Sequence, residues 1–190
     1  MPGEEENIRE LKDETDILVL GQHFIYKDRE TLEIVKTDDF TTEELLEYAN
    51  YIEKAMELGI PDIVAHPDFF MRKRKNCFGE AEERVAHKIC KAAQKYQIPL
   101  EINLNNIFNH TYYTDDKLNE DTIEEQKKKL KEVEYPCQHF WKIATQYDIK
   151  VLYGIDVHHR GQILRWNELV ELAKEVLGEE IIEKLNFIES

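Results

Sequence analysis

Residues 150–161 read KVLYGIDVHHRG, an apolar run that ends directly in Asp156, His158, His159 and Arg160. An apolar run of this length is a buried strand, and its polar end is where that strand opens into a loop. Three other segments repeat the design. DILVLGQHF (16–24) ends in Gln22 and His23, PDIVAHPDF (61–69) in His66, Pro67 and Asp68, and PLEINLN (99–105) in Glu101, Asn103 and Asn105.

Helical patterns lie between these strands. In TTEELLEYANYIEKAMELG (41–59), Thr41 and Glu44 have capping-box spacing, Leu45, Ala49, Ile52 and Met56 form one apolar face, and Gly59 stops the helix. GEAEERVAHKICKAAQKYQ (79–97) turns Val85, Ile89, Ala92 and Tyr96 inward. YPCQHFWKIATQYD (135–148) places Pro136 in a first helical turn and Phe140, Ile143, Ala144 and Tyr147 on one face. EEENIRELKDE opens the chain as a helix, and RWNELVELAKEVLG and EEIIEKLNFIE close it as helices. Residues 105–134 read as a polar excursion containing one exposed helix, TIEEQKKKLKEVE. Strands alternating with helices predict an α/β fold with about four parallel strands, as an open sheet or a barrel.

Composition narrows the function. The 190 residues fit a single domain, and the net charge of −15 disfavours nucleic acid and anionic membranes as partners. No apolar run approaches membrane-span length, and MPGEEENIRELKDE lacks the character of a secretory leader. Three cysteines, Cys77, Cys90 and Cys137, without CxxC spacing, fit free thiols in a reducing cytoplasm.

Binding groups in parallel α/β folds gather at strand C-terminal ends. Three of the four ends here carry histidine, although the whole chain holds only 7. Imidazole and carboxylate are ligand types for zinc, manganese and iron, so His23, His66, Asp156 and His158 are the metal candidates. Asp156 and His158, two apart on an extended segment, point to one side and are the catalytic candidates. His159 points the other way. His87 and His139 fall on polar helix sides, and His110 lies in the long excursion.

DILVLGQHFI, DIVAHPDFF, LEINLNNI and YPCQHFWKIATQYDIKVLYGIDVHH together resemble, in order and spacing, motifs of the polymerase-and-histidinol-phosphatase (PHP) family, in its histidinol-phosphatase branch. The resemblance implies part of a distorted (β/α)7 barrel holding up to three divalent transition-metal ions. It also implies hydrolysis of a small phosphomonoester by a metal-bound hydroxide. By that resemblance His23 and His66 are metal ligands, Asp156 a ligand on a neighbouring ion and His158 a ligand on a third. Arg160, directly after the D-x-H pair, and Arg72 and Arg74, after H-P-D, are the phosphate candidates.

Family members begin with an H-x-H strand and a strand ending in a bridging glutamate, whereas the first histidine here is His23. The expected site is therefore incomplete. A four-strand sheet also leaves two open edges, so a homo-oligomer or a completing chain is expected. The alternative reading is a truncated barrel with a partial metal site and little or no catalytic activity.

Overall fold

A computed structural model describes residues 5–27, 31–34, 40–74, 77–114, 117–118 and 121–188. The chain begins with α1 (Glu5–Asp13), β1 (Val19–Gly21), the hairpin strands β2 (Phe24–Lys27) and β3 (Thr31–Ile34), and α2 (Thr42–Glu57). It continues through β4 (Ile63–Ala65), α3 (Glu80–Tyr96), β5 (Leu100–Asn103), α4 (Asn105–Thr111) and a second hairpin, β6 (Tyr113–Thr114) and β7 (Lys117–Leu118). It closes with α5 (Ile123–Lys127), α6 (Gln138–Ala144), β8 (Lys150–Gly154), α7 (Arg160–Leu164), α8 (Trp166–Leu177), α9 (Glu179–Ile182) and β9 (Asn186–Phe187).

The fold is α/β. Five strands form one sheet in the order β1-β4-β5-β8-β9, and every neighbouring pair is parallel. The order never reverses, so right-handed crossovers carry the connecting helices to one face. Val64, Leu100 and Val151, aligned across three strands, are buried there with Leu45, Ile52, Ile89 and Phe140 of the helices. The opposite face is barer: Val19 is 51% exposed, and Glu101 lies there across Gly154. Among the described residues no helix is long and apolar enough to cross a membrane.

Local chemistry explains the elements. Thr41 caps α2 with a complete capping box, and the predicted face of Leu45, Ala49, Ile52 and Met56 is buried. Gly59, at φ +66°, takes the left-handed conformation that ends this helix.

Four sequence expectations need correction. The first strand is interrupted after Gly21, so His23 stands between β1 and β2. The excursion begins with a buried helix, α4, because Ile107 and Phe108 join the core. Pro136 precedes α6 and does not occupy its first turn; it is joined to Tyr135 by a cis peptide bond. The last predicted helix stops at Ile182, and Asn186–Phe187 becomes a fifth parallel strand beside β8.

Candidate functional site

His23, His66, Asn103 and Asp156 follow or end β1, β4, β5 and β8, so the parallel sheet delivers them to one edge. The His23 and His66 rings lie 4.7 Å apart, tilted by 55°, and both pack on Phe69. Gly21 makes room for the pair. A Cβ there would lie 3.0 Å from His23 Cε1 and 3.2 Å from His66 Nε2.

Burial disfavours the charged form of both rings. It lowers the His66 pKa to about 4, helped by His23, and it lowers His23 against the pull of Asp156. His66 Nδ1 is buried and has no hydrogen-bond partner among the described residues. After β8, which β5 separates from β4, Asp156 Oδ1 is 3.6 Å from His158 Nδ1. His66 (φ +32°) and Asp156 (φ +44°) both carry left-handed backbone. For side-chain-bearing residues that conformation costs about 1–3 kcal/mol each and persists only where the surroundings impose it.

The cationic candidates separate. Arg72 stacks over Phe69 at 5.4 Å, and its charge reaches His23. Arg160 is exposed at the start of α7. Arg74 is turned away to Glu82, with Nε and Nη2 donating to one carboxylate oxygen at 3.1 and 2.5 Å. That pair is nearly buried and braces the start of α3, so Arg74 belongs to the scaffold.

His159 caps α7 through Nδ1, which accepts the Gly161 N–H, and its ring stacks with Phe108 and packs at a tilt on Tyr113. His87 bonds the Tyr147 hydroxyl, and His139 stacks on Phe78. His110 lies within α4 and not in a loop.

Two strand-end carboxylates outside the predicted site are buried, Glu101, which reads from the sequence as support for the fold, and Asp68, which has no predicted role. Glu101 Oε2 accepts the His66 N–H at 3.0 Å and Asn103 Nδ2 at 3.1 Å, which ties β4 to β5 beneath the histidines. Asp68 Oδ2 accepts the Cys137 N–H at 2.6 Å and the Trp141 indole N–H at 3.1 Å, which fixes the start of α6. Burial raises the Asp68 pKa to about 7. The H-P-D string was the available signal for Asp68. Tyr135, whose ring lies 6.4 Å from His66, gave none.

Imidazole and carboxylate are donor types that suit a divalent ion. Among the described residues no three His, Cys, Asp or Glu side chains form a group that could hold a metal. The chain matches no protein-family model and no curated protein.

Proposed function

We propose that the sheet is part of a PHP-type barrel and that its strand ends form a divalent-metal site for hydrolysing a small phosphomonoester. The observation that carries this reading is the His23–His66 pair: two imidazole rings 4.7 Å apart whose charged forms burial disfavours, within electrostatic reach of the carboxylate of Asp156. Neutral imidazole with a buried, unpaired ring nitrogen is ligand chemistry for zinc, manganese or iron. Such an ion supplies Lewis acidity toward a phosphoryl oxygen and activates water. His23 and His66 would hold it, with Asp156 and His158 from the end of β8. Arg72 and Arg160 supply positive charge where the phosphate would sit.

Metal analysis of protein purified without chelator, paired with hydrolysis of histidinol phosphate and p-nitrophenyl phosphate, tests the reading. Bound transition metal and turnover abolished by His66→Ala support it. A folded protein that takes up no zinc, manganese or iron refutes it.

The second reading, a partial metal site with little or no turnover, is favoured by the exposure of His158, whose side chain is 68% accessible. Stoichiometric metal without phosphatase activity selects it over the first.

A further inference from the structure

A buried chain of carboxamides stands behind Asp156 and His158. Gln162, on α7, is 0% exposed. Its Oε1 accepts the N–H groups of His158 and His159, both at 2.6 Å. With that oxygen committed to two donors, the other end must be the donor. Gln162 Nε2 faces Asn105 Oδ1 at 3.1 Å, Ile155 O at 3.1 Å and Asp156 O at 3.3 Å. The main chain thus dictates which way this amide faces.

Asn105 inherits the orientation. Its Oδ1 accepts from Gln162 and from Asn109 Nδ2 at 3.3 Å, so its Nδ2 turns to Asp156 Oδ2 at 3.1 Å. Asn103 Oδ1 accepts the Asn105 N–H at 3.0 Å and anchors the assembly to the end of β5.

The same turn selects a tautomer. His158 Nδ1 lies 2.7 Å from the main-chain oxygen of Asp156, which can only accept, so Nδ1 carries the proton. Asn105 Nδ2 is farther from that nitrogen, at 3.4 Å, and its hydrogen bond goes to Asp156. Nε2 is left with the lone pair, on a side chain 68% exposed. A hydrogen bond at one ring nitrogen deciding which nitrogen ligates is a recurring device of metal sites.

We propose that Gln162 is a positioning residue: it holds the turn at residues 155–159, aims Asn105 at Asp156 and fixes His158 Nε2 as the nitrogen offered to a divalent cation. The cation rests on the reading above; the turn and the tautomer belong to the metal-free chain.

The test uses Gln162→Met, which removes donor and acceptor at similar length, and Gln162→Glu, which keeps only the acceptor. The readouts are the 15N shifts of His158 in metal-free protein at pH 8, Mn2+ affinity by EPR titration, and melting followed by circular dichroism. The expected result is Nδ1–H in the parent, an Nε2–H population in folded Gln162→Met, and Mn2+ affinity lower by about 10-fold. In Gln162→Glu, Asn105 Oδ1 keeps only Asn109 as a donor and faces a carboxylate oxygen in place of Nε2, so affinity falls there too. An Nε2–H parent overturns the proposal. So does a folded Met variant with parental tautomer and affinity; should that variant unfold, an unchanged Glu variant does the same. A parent that takes up no zinc, manganese or iron overturns the metal reading alone, and the tautomer comparison still decides this one.

Discussion

Replacing Gly154 with alanine tests whether Glu101 is locked beneath the strand-end histidines. A Cβ at position 154 would lie 1.6 Å from Glu101 Oε1, 2.3 Å from Cδ and 2.6 Å from Cγ. Three atoms of one side chain block the space, so rotating the carboxylate within its slot gives no relief; Glu101 must leave. Forcing a group into such a site costs about 1–3 kcal/mol. The departing carboxylate also abandons the His66 N–H and Asn103 Nδ2. Hydrogen bonds to a charged group contribute about 1.5–3 kcal/mol each, part of which solvent returns once Glu101 is outside. A total near 4 kcal/mol lowers the melting temperature of a chain this size by roughly 8–16 °C.

The assay is a double-mutant cycle by urea denaturation with Gly154→Ala, Glu101→Ala and the pair. Glu101→Ala empties the slot, so the glycine change should cost little in that background, with a coupling of at least about 1 kcal/mol between neighbours of this kind. Additive effects, or a Gly154→Ala protein as stable as its parent, would refute the locked carboxylate.

Gly21→Ala pushes on His23 and His66, and it should weaken Mn2+ binding at least tenfold in an EPR titration while urea stability changes by less than about 3 kcal/mol. Trp141→Phe removes the indole donor to Asp68, and a loss of about 1–2 kcal/mol is expected in the same denaturation assay. His66 and Asp68 give opposed pH dependences in chelator-treated protein. The lowered His66 pKa makes stability fall as pH drops from 6.5 through about 4, and the raised Asp68 pKa makes stability fall as pH rises from 3.8 through about 7. Asp68→Asn should therefore leave a protein that weakens on acidification in that window, and His66→Gln one that strengthens, each by melting temperature against pH.

The four main strands were legible because each is a short apolar run closed by polar residues, and β4, β5 and β8 lie within their predicted spans. The α2 capping box was legible for a similar reason, since its signal is local. Other features depended on partners distant in sequence. The two residues of β9 are too few for a periodicity, and they become a strand only because Lys150 and Val151 lie alongside. NNIFNHT is rich in turn-forming asparagine, and burial of Ile107 and Phe108 overrides that local preference. The site divides in the same way. His23, His66 and Asp156 were visible as strand ends, whereas Gln162 gains its place from a folded turn and from Asn105, 57 positions earlier. Arg74 carried the right charge for a phosphate, and Glu82 claims it.

The uninterrupted strand order bears on synthesis. In a sheet ordered β1-β4-β5-β8-β9, each strand docks beside one already made, and none must be inserted between two earlier ones. Chains emerge from the ribosome N-terminus first, at about 5–20 residues per second, so the sheet can assemble edge to edge during translation. The His23–His66 corner forms with the second sheet strand. The Asp156 corner waits for Gln162, and the last strand, β9, seals a structure whose chemistry is already in place.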